Sequence, residues 1–267
     1  RSAQRNTCRS NLKQIGTAVL GHETNRKEFP TGGIYPWPTL EHYMTNGIPW
    51  GPERQGLGWP YQILPFTGMS SVYNTKKQVD LQKIVIPFFF CPERRKPAIY
   101  RAASGAPQFG DAVLMDYAGA TPGDFGKWDD EGMFWQGSTS NPSPNKTFRG
   151  VIVRTNHKAM PGGPAGPINS SPPTKFGMIH DGKAFTMLVG EKCMQPDNYL
   201  SGDWHDDRGW TDGWDPDIMR STAYKPMMDH SASIPGETSR KLGFRFGSAH
   251  PSAFHAVFCD GAVRSIN

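Results

Sequence analysis

At 267 residues and 29.6 kDa, the chain is long enough for one large domain or two modest ones and can bury a sizeable core. Its 36% hydrophobic and 12% aromatic content excludes a disordered chain, and its 30 Gly and 24 Pro describe a loop-rich globule. The net charge of +5 comes from 29 basic and 24 acidic residues scattered along the chain; the one compact basic group, Arg94-Arg95-Lys96, reads as a solvated face, so nucleic acid is not an expected partner.

The first element is a helix. From Thr7 to about Asn25, Cys8, Leu12, Ile15 and Val19 recur at three- and four-residue spacing and share one face. The stretch Glu28 to Gly33 stops it. Arg1, Arg5 and Arg9 suit the membrane-proximal stalk of a longer helix, and solvated helix charges explain them as well. The chain opens at Arg1 without Met, which predicts a mature or trimmed product. No window offers the roughly 18–20 apolar residues of a membrane span, so any membrane contact is expected only through an apolar helix upstream of Arg1.

The remainder reads as short strands between turns. Ile84 to Cys91 is a β-branched and aromatic run whose Pro87 predicts a bulge or an edge strand. Ala184 to Gly190, after an Asp181-Gly182 turn, predicts a buried strand. Gly137 to Thr147 and Pro161 to Pro173 read as long surface loops. At the C-terminus, Phe254 to Cys259 alternates faces and Ala262 to Ile266 returns, so residues 254–266 form a hairpin. The expected connection is a two-residue type I′ turn at Asp260-Gly261.

Cys8, Cys91, Cys193 and Cys259 lie far apart with no Cys-x-x-Cys pair, which argues against a zinc ribbon or thioredoxin-type site. Disulfides in an oxidising, extracytoplasmic compartment fit better, with three pairings open. His250, His255, Cys259 and Asp260 are metal-capable, but strand geometry does not gather them. His250 is expected to hydrogen-bond a loop backbone, and Asp260 to accept N–H bonds in its own turn. Residues 203–217 place six carboxylates among three tryptophans. Such a loop could hold calcium through Asp212, Asp215 and Asp217, although Ala223 stands where an EF-hand would close on Glu. The preferred reading is a solvated acidic loop on buried tryptophans, with sugar stacking as an alternative. No nucleophile elbow, zincin motif or phosphate loop is present, so no catalytic residue and no enzyme activity is expected.

Several blocks in order resemble a family of secreted, prepilin-type proteins classed as a domain of unknown function and expanded in planctomycete bacteria. They are Cys8-Arg9-Ser10-Asn11-Leu12-Lys13-Gln14-Ile15-Gly16, Phe29-Pro30-Thr31-Gly32-Gly33, Gly58 to Phe66, Phe90-Cys91-Pro92, Tyr117-Ala118-Gly119 and Asp181 to Glu191. The most specific is His250, nine residues, then Asp260-Gly261, the family's processing-associated signature. The resemblance implies an α+β, pilin-like fold: a stalk helix over 1–28 on an antiparallel sheet, and one β-rich, loop-rich globular domain over 29–267. It implies a non-catalytic structural subunit of an extracellular pilus, pseudopilus or type II secretion filament, whose partners are copies of itself, other pilin-like subunits or secreted cargo. A cell-surface module binding calcium, glycan or a partner protein is the alternative. Related pilin-like subunits often hold calcium in a C-terminal loop. Within the resemblance, Cys8 pairs with Cys91 and Cys193 with Cys259, while Lys183 and Ala184 stand where the family commonly has Thr and Ser.

Overall fold

A computed structural model describes residues 2–100, 110–122, 134–135, 150–159, 166–167, 171–231 and 239–266. The apolar stripe forms one α-helix, α1 (Ser2–Arg26), which begins earlier than the periodicity alone indicates. Cys8, Leu12, Ile15 and Val19 are wholly buried, and Gly16, Ala18, His22 and Glu23 extend the buried face. The helix stops at Lys27, a left-handed residue with φ of 62°, whose N–H donates to Glu23 O at 2.7 Å.

A five-stranded sheet supports α1. Its strands are β1 (Tyr117–Thr121), β2 (Met187–Glu191), β3 (Met219–Ser221), β4 (Phe254–Phe258) and β5 (Val263–Ile266), in the order β5-β4-β2-β1-β3. The fold is α+β. Three pairings are antiparallel, whereas β1 and β3 run parallel, so the sheet is mixed at one edge rather than antiparallel throughout. The long connection from β1 to β3, which includes β2, permits this, because parallel neighbours need a crossover rather than a tight turn.

Alternation along β4 buries both faces. Phe254 and Ala256 pack with Ala118, Ala120 and Phe246, while Val257 and Cys259 join the larger core that holds Leu12, Ile15 and Val19. Helix and sheet approach closely at Gly16, where an added Cβ would lie 2.4 Å from Val257 Cγ2. Glycine is required there because the neighbour is a short, branched side chain in the core. The same core takes in Leu57, Trp59, Phe89 and Trp210.

Three local expectations are corrected. Ile84 to Cys91 forms no strand. Pro87–Phe89 is a 3-10 turn with Pro87 at its start, and it delivers Phe88, Phe89, Phe90 and Cys91 to the interior. The C-terminal hairpin forms with Val257 opposite Val263, but its loop is three residues, Cys259-Asp260-Gly261. Gly261 N–H donates to Phe258 O at 2.8 Å and Phe258 N–H to Ala262 O at 3.0 Å. Only Gly261 in this loop has positive φ (77°), the arrangement of a turn closed by a G1 bulge rather than type I′. β2 begins at Met187, later than expected, and leaves Phe185 83% exposed. Residues 137–147, 161–165 and 168–170 of the anticipated loops lie outside the described residues. No helix among the described residues is long and apolar enough to cross a membrane.

Gly16→Leu should lower stability by about 1–3 kcal/mol through overpacking. Urea unfolding of Gly16→Leu, Val257→Ala and the double variant checks the contact: the double variant should recover part of the loss. A second expectation concerns His22, which burial holds neutral down to about pH 4 against an ordinary 6.5, with Glu28 O accepting at 2.9 Å. Its folded value is depressed, so its contribution is present above about pH 6.5 and is lost as pH falls towards 4. Stability should fall by on the order of 3 kcal/mol over that window, and a His22→Gln variant should flatten this limb of the pH–stability curve.

Candidate functional site

The Arg94-Arg95 pair is not a solvated face. Both side chains are buried, because the fold supplies their countercharges from distant loops. Arg94 Nε lies 2.7 Å from Asp229 Oδ2, and its Nη1 donates to Asp116 O at 3.1 Å. Arg95 forks onto Asp206 at 2.6 and 3.1 Å and lies 2.7 Å from Asp116 Oδ1. Lys192 Nζ completes the cluster, donating to Asp206 Oδ1 at 2.9 Å and Asp217 O at 3.0 Å. Burial works against the Asp206 carboxylate, yet Arg95 and Lys192 outweigh it and hold its pKa well below the usual range.

The 203–217 loop is likewise interior rather than solvated. Trp210 and Trp214 are fully buried and Trp204 packs on His205 and Phe244, so the two fully buried rings cannot present a sugar-stacking surface. Of the predicted calcium ligands, Asp212 and Asp217 come together with Asp207, their carboxylate oxygens mutually within 4.8 Å. Asp215 is buried but outside this trio, its Oδ1 accepting Asp217 N–H at 2.9 Å. Asp217 is largely engaged by backbone, accepting the N–H groups of Asp207, Arg208 and Gly209.

Asp212 Oδ1 accepts Trp37 N–H at 2.6 Å and Gly213 N–H at 2.8 Å, and Asp207 Oδ1 accepts Trp37 Nε1–H at 3.3 Å. These bonds hold Trp37 at φ of 57°, a strained conformation for a bulky residue. The Oδ2 atoms of Asp207 and Asp212 are buried and accept no hydrogen bond. Burial and the neighbouring carboxylates push Asp207 up to about 9 and Asp212 up to about 8, with Arg208 the nearby countercharge. Two orphaned carboxylate oxygens in an oxygen-rich loop fit a hard cation.

The family-signature residues separate. Asp260 and Gly261 stay in the hairpin loop, where Asp260 Oδ1 accepts Ala262 N–H at 2.9 Å and Oδ2 pairs with Arg264 at 2.6 Å. His250 turns inward instead of bonding a loop carbonyl through its ring. Its Nε2 lies 3.2 Å from Glu191 Oε1 and 3.7 Å from Cys91 Sγ, and its backbone N–H donates to Ser248 Oγ. Burial disfavours its charged form, but Cys91 and Glu191 prevail and raise its pKa to about 9. Cys8 and Cys91 come together with sulfurs 2.7 Å apart. Cys193 and Cys259 do not share surroundings: Cys193 Sγ faces Met228 O at 3.6 Å, while Cys259 sits on the hairpin with its N–H on Thr186 O. All four cysteines are thiols in this structure.

Glu191 and Asp207 belong to no catalytic or metal-binding motif in the sequence, and only the fold gives them partners. The available signal was a carboxylate ending the apolar 184–190 run, since such a charge is buried only with a partner. A family model described as a protein of unknown function, DUF1559 (SBP_bac_10), matches residues 1–267. No curated protein and no solved structure matches the chain.

Asp206→Asn should leave two buried cations short of a countercharge, Lys192 without its carboxylate and Arg95 with Asp116 alone. A loss of about 3–5 kcal/mol is expected for breaking one side of a buried ion pair. Chemical denaturation at neutral pH checks this, with Asp260→Asn, at an exposed pair, as the comparison that should leave stability nearly unchanged.

Proposed function

We infer, for a chain that belongs to the DUF1559 family over its whole length, that it is a non-catalytic structural subunit of an extracellular filament of pilus or pseudopilus type. The observation that carries this reading is the way α1 is mounted. From Cys8 to Glu23 the helix is built into the core against β4 and β2, while residues 2–7 are exposed or half-buried. A helix fastened along one part and open along another suits a subunit that packs its stalk against copies of itself or other pilin-like subunits, and presents its globular part to neighbours or secreted cargo. The proposed setting is extracytoplasmic, with any membrane contact made through an apolar helix preceding Arg1.

A second reading, a cell-surface binding module, draws on the Asp207, Asp212 and Asp217 cluster, which favours calcium as its ligand. In either reading calcium would tie the 203–217 loop to Trp37, and the buried tryptophans weigh against a glycan.

Electron microscopy of native surface material with antibody labelling tests the filament reading. Ordered filaments carrying this chain are expected, and protein found only as monomers would contradict it. The reading frame before Arg1 should encode a cleavage site followed by roughly 20 apolar residues. For calcium, chelation should lower the melting temperature, since a ligand held at 100 times its Kd stabilises by about 2.7 kcal/mol. An unchanged melting curve would remove calcium.

A further inference from the structure

Four residues remote in sequence meet in the interior: Cys8 from α1, Cys91 after the 87–89 turn, Glu191 at the end of β2 and His250 before β4. None is more than 1% exposed, and one ligand-type atom from each lies within 4.8 Å of the others. We propose that they form a closed structural site for one divalent transition-metal ion, with zinc as the ion tested. Two sulfurs, an imidazole nitrogen and a single carboxylate oxygen are a donor set that selects zinc over calcium or magnesium.

The distances carry the proposal. Tetrahedral zinc, with bonds of about 2.3 Å to sulfur and about 2.0–2.2 Å to nitrogen or oxygen, places neighbouring ligand atoms about 3.3–3.8 Å apart. His250 Nε2 is 3.2 Å from Glu191 Oε1 and 3.7 Å from Cys91 Sγ. The Cys8 and Cys91 sulfurs, now 2.7 Å apart, must part by about 1 Å, within reach of a modest side-chain rotation.

Glu191 is placed to complete the set. Its Oε2 is fixed by His255 N–H at 2.7 Å, which leaves the buried Oε1 on the cluster side, 3.2 Å from His250 Nε2. Surrounding bonds hold the ligands in place: Cys91 N–H donates to Asp116 Oδ2 at 2.6 Å, and Asn11 Nδ2 donates to Phe90 O at 2.8 Å and Tyr117 Oη at 3.3 Å. Four protein ligands leave no open position, so the metal would be structural, and its uptake would release the two thiol protons and the His250 ring proton to solvent. The inference rests on this cluster alone and is independent of filament assembly.

The full chain, prepared without chelator, should contain one zinc and four free thiols, by elemental analysis and thiol counting after denaturation. Cobalt substituted for zinc should give a thiolate-to-cobalt charge-transfer absorption and a tetrahedral ligand-field spectrum. Cys91→Ser and His250→Ala should abolish stoichiometric metal, whereas Cys193→Ser should retain it. If the ligand variants fail to fold, the cobalt spectrum of the unaltered chain decides. A reduced chain that takes up neither zinc nor cobalt would overturn the proposal, as would a Cys8–Cys91 disulfide in the protein as isolated or loss of metal in Cys193→Ser.

Discussion

The contact between Glu191 and His250, 3.2 Å long and shut away from solvent, is the constraint on which the arrangement of the chain turns. A carboxylate placed there without partners would cost several kcal/mol, so the fold must bring donors to it. They arrive from far apart in sequence. His255 supplies a backbone N–H from β4, and His250 supplies a ring nitrogen from the turn before β4. Cys91 lies against that ring and Cys8 of α1 against Cys91. Satisfying one buried group therefore docks the helix, the 87–91 segment and the C-terminal hairpin onto β2.

The residue after Glu191 does the same on the other side. Successive residues of an extended chain point to opposite faces, so Lys192 leaves the helix side and reaches Asp206 and the backbone of Asp217. Through Asp206 it is joined to Arg95, and through Asp116 to the start of β1. Glu191 and Lys192 thus form a junction between two buried polar systems. One fastens α1, and the other folds the acidic loop inward. Each system is valuable less as net stabilisation than as specification, since a chain docked in any other way would leave these charges unpaired.

What was legible in the sequence was what local periodicity encodes. Cys8, Leu12, Ile15 and Val19 announce the helix and its buried face, and the alternation from Phe254 to Phe258 announces β4. The hairpin loop differed in type because Asp260 meets its needs through its side chain and leaves only Gly261 with positive φ. The burial of charge was illegible. Arg94, Arg95 and the aspartates of 203–217 look like solvated groups when their partners stand many residues away, and pairing over such separations leaves no local pattern. The 84–91 run misled for the opposite reason: its composition suits a strand, but Pro87 begins a 3-10 turn that hands the phenylalanines to the core. The nearness of Cys8 and Cys91 followed from the family resemblance, not from spacing.

The central claim is that α1 and the globular part form one mechanical unit, closed by buried polar contacts as well as by the Gly16–Val257 approach. Native-state hydrogen exchange measures this directly. Amides from Leu12 to Glu23 should exchange only by global unfolding, with the same opening free energy as those of Leu188 to Gly190 in β2 and Ala256 to Val257 in β4. If the helix instead exchanged as a separate unit, at an opening free energy well below that of the sheet, the unit would not exist and the account would be wrong.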